Sequence, residues 1–495
     1  MQSKFVWFIG TVFLAAVVVF YRLGALPIEV WDEARLANNA LEMSQTGLSL
    51  ITTYGGLTDY WNTKPPMLIW LMSISISLFG ANEWAVRLPS ALSAMATVII
   101  VFAFCVYQLK RPLVGFLSVA LLLLTSGYVQ FHGARAGDYD SMLTLWTTGY
   151  LISGYMYFHA EACDKIKWFS LCVLCVVLAF FTKTIQGFIF LPGLFIYALS
   201  QKKLLAMLRS PELYLGIIFI SASCFGYYVL RENVDPGYFS YAKANDLLGR
   251  YNNALESAPT KPYLYLLLKE YPFTVLAIIL LAYQYLKTQN ITRQVSIYLG
   301  LVSFSYLAII SASATKHAWY LDPICPLLAI IVAISINQAF EWKVNKYNYS
   351  KKTLLISVSL VAIILGLGVI AANSSQLLAH QNSMKADKLD QYNFFIRSPF
   401  LQSNSFNKFV IIHPGYHNNF QPEVPYYAPL LFYVNSLRAS GKTILIQPPA
   451  LNIPNDYNIA VLCGDDIYRA LNLKVNLKAI KTDSNCGVYA VFTKQ

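Results

Sequence analysis

Pro66-Met-Leu-Ile-Trp-Leu-Met-Ser-Ile-Ser-Ile-Ser-Leu-Phe79 is the stretch on which the topology of the whole chain turns. Around it lie eleven other apolar runs: Phe5–Tyr21, Glu83–Tyr107, Pro112–Phe131, Asp140–His159, Ile166–Phe181, Ile185–Leu199, Pro211–Leu230, Tyr263–Leu286, Val295–Ser313, Trp319–Phe340 and Thr353–Ala372. A bilayer core takes about 20 helical residues, and most of these runs meet that length. Loop charge decides whether Pro66–Phe79 crosses. If it does not, the loops with Lys110 and Arg111, with Lys165 and Lys167, with Lys202, Lys203 and Arg209, with Lys287 and Arg293, and with Lys343, Lys346, Lys351 and Lys352 all share one side with Lys4. That side is then cytoplasmic by the positive-inside rule. If it does cross, every later basic loop lands outside. The stretch therefore reads as a short helix, lying in the outer interface or re-entrant, and leaves about eleven transmembrane helices. The first run has no small-x-small cleavage site after it and reads as an uncleaved helix.

Composition agrees with a membrane protein. The chain has 495 residues, of which 56% are hydrophobic and only 13% charged, whereas soluble domains carry about 25% charged residues. The 34 tyrosines and 30 phenylalanines suit rings at headgroup depth. The net charge of +12 is explained by the basic loops, so nucleic acid is dismissed as a partner. Eight cysteines show no ligand cluster. Cys172 and Cys175 form a CxxC inside an apolar run, where packing outweighs metal binding.

The outer side then holds residues 23–82, three short turns near 132–140, 182–184 and 314–318, residues 231–262, and everything after 372. The expected domains are a transmembrane part, 1–372, and an extracytoplasmic α/β part, 373–495. In the tail Lys408–His413, Thr443–Gln447, Asn458–Leu462 and Val488–Phe492 read as strands and Leu430–Ala439 as a helix. Cys463 and Cys486 suit an oxidising compartment, and their sequence separation leaves open whether they pair.

Charged residues collect at the outer membrane edge, where charge is costly unless used or hydrated. In Trp31-Asp32-Glu33-Ala34-Arg35 the acidic pair opens a helix, and Asp32 and Arg35 share a face. In Thr63-Lys64-Pro65-Pro66 the prolines fix the chain direction, which holds Lys64 at phosphate depth or leaves it an ordinary snorkelling lysine. In Arg135-Ala136-Gly137-Asp138-Tyr139-Asp140 the two carboxylates bind a divalent metal or the acceptor, or Arg135 pairs with one of them. Lys183, Arg231, Arg250 with Asp246, and Thr315-Lys316-His317-Ala318-Trp319-Tyr320 complete the set; a lone His317 is more often structural than catalytic. Carboxylates and several cations beside lipid are what an anionic lipid donor requires.

Trp31-Asp-Glu-Ala-Arg, Thr63-Lys-Pro-Pro and Phe79-Gly-Ala-Asn-Glu-Trp-Ala-Val-Arg-Leu-Pro-Ser-Ala-Leu resemble the bacterial relatives of protein O-mannosyltransferases, including the aminoarabinose transferase of lipid A. The turn at 134–140, Phe181-Thr-Lys-Thr, Pro236-Gly-Tyr with Gly249-Arg, and Ser311–Pro326 continue the likeness over roughly residues 1–340. The resemblance implies a glycosyltransferase of the membrane-embedded type C fold, a polyprenyl-phosphate-linked sugar donor, and a lipid A, glycan or protein acceptor. It also implies the bacterial inner membrane, with the active site and C-terminus periplasmic. Two departures stand out: Thr63 replaces a frequent Glu, and Thr184 a frequent Gly.

The expected reaction is a single displacement with inversion. Lys64, Arg250 and Lys316 hold the donor phosphate, and Asp32 is the general base for an acceptor hydroxyl. Glu33, Arg35, Arg135, Asp138, Asp140, Lys183, Arg231 and Tyr320 are the other cleft residues. No cofactor is certain; a divalent metal at Asp138 and Asp140 is the candidate. The alternative from another class is a transporter or flippase of lipid-linked saccharide. It is disfavoured because no internal repeat is visible and the charges gather at one edge rather than the midplane.

Overall fold

The computed structural model describes residues 4–130, 132–247, 263–270, 277, 279–280, 290–347, 351–403, 406–414, 427–483 and 485–493. Among them six helices are long and apolar enough to cross a membrane: Glu83–Tyr107, Ala162–Phe188, Pro211–Val234, Ile291–Ala312, Ala318–Val344 and Ile356–Ala386. Shorter apolar helices cover Lys4–Phe20, Met67–Phe79, Pro112–Leu124 and Leu191–Ser200, and a further helix covers Tyr139–His159. The Tyr263–Leu286 run lies largely outside the described residues.

Sequence and structure differ where polar groups or proline intervene. The run from Pro112 stops as a helix at Leu124, with Thr125 Oγ1 donating back to the Leu121 carbonyl. The run from Trp319 begins as a 3-10 helix, Ala318–Ile324, because Pro323 has no N–H for an α-helical bond, and continues as Cys325–Tyr347. The last membrane helix runs Lys351–Ala386, well past Ala372, since Asn373-Ser-Ser-Gln is polar without being helix-breaking.

The chain forms two compact units. The first holds residues 1–21, 63–68 and 88–374; the second holds 22–62, 69–87 and 375–495. In the first unit, helices are joined by small polar contacts. Ser90 donates to the Asp138 carbonyl at 2.9 Å, and Ser141 returns a bond to the Ser90 carbonyl at 2.8 Å. Three contacts link its basic segments. Arg111 pairs with Glu341 at 3.1 Å, Lys4 lies 5.6 Å from the Tyr107 ring centre, and Lys203 donates to the Phe158 carbonyl.

The second unit contains a two-stranded ribbon, β1 (Thr53–Tyr54) with β2 (Leu57–Thr58), and a five-stranded sheet. The sheet strands are β3 (Lys408–Ile412), β4 (Thr443–Gln447), β5 (Ile459–Cys463), β6 (Val475–Asp483) and β7 (Cys486–Thr493), in the order β4-β3-β5-β7-β6. β3 runs parallel to β4 and β5, whereas β7 is antiparallel to β5 and β6. The central strands are buried almost throughout, as parallel strands covered on both faces must be. Val410, Ile412, Ala460, Leu462, Ile467 and Leu471 form their core. The four strands and the helix expected in the tail are present. The edge strand β6 was not expected; it is mostly exposed, with Lys478 and Lys481 along it, which protects an edge from further pairing. Cys463 and Cys486 face each other across β5 and β7 and are disulfide-bonded, with their Cα atoms 4.0 Å apart.

Candidate functional site

In the first unit the turn at residues 132–138 brings the charges together. Ala134 N–H bonds the Tyr128 carbonyl and Arg135 N–H the Val129 carbonyl, so the chain folds back tightly on itself. A Cβ at Gly133 would lie 1.9 Å from the Tyr128 oxygen, so only glycine fits there. His132, at a φ of 59°, occupies the left-handed region. Its Nδ1 contacts the Asp138 carboxylate, whose other oxygen accepts the Tyr139 N–H at 2.6 Å and caps the Tyr139–His159 helix. The His132 ring stacks on Trp319 at 3.9 Å, and Trp319 stacks on His317 at 4.3 Å.

Asp140 begins that same helix and receives both Lys183 bonds, at 2.6 and 2.7 Å, with both side chains buried. Lys183 ends the Ala162–Lys183 helix, and its Nζ lies 5.5 Å from the Tyr320 ring centre. Lys64 lies 5.3 Å from the Tyr139 ring centre. Its predecessor is tied down by Tyr238, whose hydroxyl donates to the Thr63 carbonyl at 2.6 Å. Arg231 pairs with Asp235 at 2.7 Å and lies over the Tyr238 ring at 4.4 Å. Three buried cations thus each face a tyrosine ring, an arrangement that keeps desolvated charge favourable. Three acid–base pairs, His132 with Asp138, Lys183 with Asp140 and Arg231 with Asp235, are joined by the further positive charge of Lys64.

Other expected residues have backbone partners of their own. Arg135 donates to the carbonyls of Val18 and Val19 at 2.8 and 3.0 Å. Lys316 donates to the Ser313 carbonyl at 2.6 Å. Arg250 lies outside the described residues, as does the side chain of Asp246. Asp138 and Asp140, expected to bind a divalent metal or the acceptor unless Arg135 paired with one of them, lie against His132 and Lys183 respectively. Cys172 and Cys175 are unbonded thiols within a helix.

In the second unit Asp32 is the first residue of the Asp32–Thr46 helix and is half-buried. It follows Trp31, which has a φ of 74° although it is not glycine. The neighbours of Asp32 in the motif are tied into the interior. Glu33 binds Arg87 twice, at 2.7 and 2.8 Å. Arg35 holds both oxygens of Asp59, at 2.8 and 2.6 Å, and covers the Tyr54 ring at 3.7 Å. Arg35, expected in the cleft beside Asp32, makes a buried, two-point pair with Asp59 that braces residues 53–62. This unit also holds a cavity of about 880 Å³ between Glu42, Thr53, Tyr427, Asn435 and Arg438, which no sequence-predicted site residue lines.

His132, Trp319, Tyr139, Tyr238, Asp59 and Arg87 were not singled out from sequence as site residues. Trp319 and Arg87 lie inside stretches that were quoted. His132 and Asp59 carry no spacing signal, because their partners are met only after the chain turns.

Comparison with known proteins follows these contacts. The Dolichyl-phosphate-mannose-protein mannosyltransferase family matches residues 63–228, which include Lys64, His132, Asp138, Asp140 and Lys183. The crystal structure of ArnT from Cupriavidus metallidurans bound to undecaprenyl phosphate superposes with a TM-score of 0.69 at 16% identity, covering 99% of this chain and 98% of that one. The fold is that of ArnT. The archaeal oligosaccharyltransferase AglB from Archaeoglobus fulgidus, in complex with an inhibitory peptide and a dolichol-phosphate, matches at a TM-score of 0.52 and 13% identity, covering 98% of this chain and 74% of that one. In sequence, the chain is 28% identical to an undecaprenyl phosphate-alpha-4-amino-4-deoxy-L-arabinose arabinosyl transferase of Pseudomonas savastanoi pv. phaseolicola, over 66% of this chain. The chain spans 60% of the length of that relative. The resemblance read from the motifs is therefore matched by family, sequence and fold.

Proposed function

We propose that this protein is an integral-membrane glycosyltransferase that moves a sugar from a polyprenyl-phosphate donor to an extracytoplasmic acceptor, with inversion. The observation that carries the reading is Lys64, buried against the Tyr139 ring beside three acid–base pairs. It adds positive charge where a lipid phosphate lies. The relatives support the donor class: one is an undecaprenyl-phosphate sugar transferase by name, and ArnT was crystallised with undecaprenyl phosphate.

In this reading the acceptor oxygen attacks the anomeric carbon while the bond from that carbon to the phosphate oxygen breaks. The polyprenyl phosphate departs with the electron pair. Lys64 stabilises that charge, with Arg250 and Lys316 assigned to the same task by resemblance. The leaving group needs no general acid. An acceptor hydroxyl gives its proton to Asp32; a phosphate acceptor has none to give, and Asp32 then only orients it.

Eleven crossings with a periplasmic tail are part of the same proposal. The six long helices, with Lys4–Phe20, Pro112–Leu124, Tyr139–His159, Leu191–Ser200 and the run at 263–286, give that number. At thirteen residues Met67–Phe79 is no shorter than Pro112–Leu124, so loop charge rather than length sets it apart. The three contacts among Lys4, Tyr107, Arg111, Phe158, Lys203 and Glu341 each join segments assigned to the cytoplasmic side. The Cys463–Cys486 disulfide suits an oxidising compartment.

Purified protein offered a panel of polyprenyl-phosphate sugars, with mass spectrometry of lipid A, glycolipid and protein fractions, tests the function. Transfer to one fraction is expected; donor that stays intact in all of them would sink it. Asp32→Asn is expected to cut turnover on a hydroxyl acceptor by about 10²-fold or more while donor binding holds. Normal turnover together with normal acceptor binding would remove Asp32 from the mechanism.

A further inference from the structure

The loop that delivers Asp32 is held in an unusual way. Residues 23–27 offer five consecutive backbone carbonyls, and every one accepts a bond from an arginine. Arg87 takes the carbonyls of Leu23 at 3.0 Å, Leu26 at 2.9 Å and Pro27 at 2.7 Å. Arg397 takes those of Gly24 at 2.7 Å and Ala25 at 3.1 Å. The next two backbone N–H groups are also bound: Ile28 donates to the Tyr433 hydroxyl at 2.8 Å, and Glu29 to Glu33 at 2.7 Å. Tyr433 in turn donates to Glu83 at 2.7 Å, and Glu83 pairs with Arg397 at 2.5 Å. Burial first, and then the Glu83 carboxylate, push the Tyr433 hydroxyl well above its ordinary range, so it remains a donor.

Such a hold has a purpose at Trp31. A non-glycine residue at a φ of 74° is strained and persists only where its surroundings over-determine it. The Trp31 side chain is itself 48% exposed, and the bonds on residues 23–29 supply surroundings of that kind. If they were released, Trp31 would relax to ordinary φ and the first helical turn, with Asp32 at its start, would re-aim.

We infer that Arg397 and Tyr433, from the C-terminal part of the chain, are positioning residues for Asp32: with Arg87 they clamp the 23–30 loop and hold the carboxylate in its reactive orientation. The inference rests on Asp32 being the base proposed above. It gives the C-terminal part a role in the chemistry that its sequence, which lies outside the region of resemblance, does not disclose.

The test uses the full chain with Tyr433→Phe, which keeps the ring and deletes only the hydroxyl, and Arg397→Met. Hydrogen exchange of the amides at 28–36 reports the clamp without reference to activity. It is expected to quicken at least tenfold in both variants, while amides of β3 and β5 exchange as before. Unchanged exchange at 28–36 overturns the clamp, and equal quickening in β3 and β5 shows general loosening and overturns it too. Transfer from an undecaprenyl-phosphate sugar is expected to fall about tenfold in kcat, with the affinity for undecaprenyl phosphate within twofold. In an Asp32→Asn background the same two changes are expected to cost nothing further, since a carboxylate already lost cannot be mispositioned. A full additional loss in that background overturns the positioning role. Quickened exchange with normal turnover also overturns the positioning role, whereas normal turnover in Asp32→Asn alone overturns Asp32 as the base, and the two failures are thereby told apart.

Discussion

The cations of the two units are used differently. In the second unit Arg87 engages all five of its N–H groups: three go to backbone carbonyls and two to Glu33. Arg397 and Arg35 likewise grip carbonyls or both oxygens of one carboxylate. In the first unit Lys64, Lys183 and Arg231 each rest against a tyrosine face, and Lys183 uses two of its three N–H groups on Asp140. Arg87 has no N–H left for a ligand and acts as scaffold. The first-unit cations carry a ring face beside their other contacts, an arrangement that keeps desolvated charge favourable. The same residue types, at similar burial, thus meet different surroundings in the two units.

The largest effect is expected from Arg87→Met. Removing one partner of a buried pair leaves Glu33 uncompensated and frees three carbonyls, a loss of about 3–5 kcal/mol. Thermal unfolding in detergent should show a melt lowered by many degrees or no folded protein. Lys64→Met is the counterpart in the first unit. Affinity for undecaprenyl phosphate should fall about tenfold, the worth of one charge-assisted contact. If Lys64→Met leaves that affinity alone, the phosphate-holding role proposed for Lys64 collapses.

The fold class was legible because membrane helices announce themselves by length and composition; that Pro66–Phe79 stays out belongs to the proposal and rests on the parity of the basic loops. The tail strands were legible where burial on both faces makes them continuous apolar runs, as in β3 and β5. β6 escaped because Val475–Asp483 mixes lysine and aspartate on an exposed edge. Asp138, Asp140 and Lys183 were singled out from sequence, but not that Asp140 would face Lys183 and Asp138 would face His132. That depends on a turn which only Gly133 allows. Glu33 and Arg35 looked like Asp32 in sequence, since all three occupy one motif. Their partners, Arg87 and Asp59, lie 54 and 24 residues away, where no local pattern reaches.

A smaller effect is expected from the disulfide. Cys463 and Cys486 close a loop with a sequence separation of 23, so replacing both by serine should cost about 3 kcal/mol, chiefly through the freer unfolded chain. Thiol labelling of intact cells sharpens the assignment of the tail. A parent protein that is labelled at these two cysteines without reductant would argue against an oxidising compartment.

The smallest effect is expected at Asp390, in the Lys388–Ile396 helix capped by Asp387. Burial, outweighing the Asn393 hydrogen bond, raises its carboxyl to about 6. The unfolded chain releases this proton near pH 4, the usual value for aspartate, whereas the folded chain keeps it until about pH 6. Between those values the folded state binds more protons than the unfolded state, so stability falls as pH rises and levels off above the folded value. The contribution is therefore full below pH 4 and lost by neutral pH. Asp390→Asn cannot ionise. It should leave the melt unchanged near pH 4, raise it by a degree or two at pH 7, and flatten the slope in between. The partial exposure of the side chain keeps the shift small. A melt at pH 7 lower than the parent's would mean that the ionised carboxylate is favourable where it stands, and would move Asp390 from the merely buried groups to those held by hydrogen bonds.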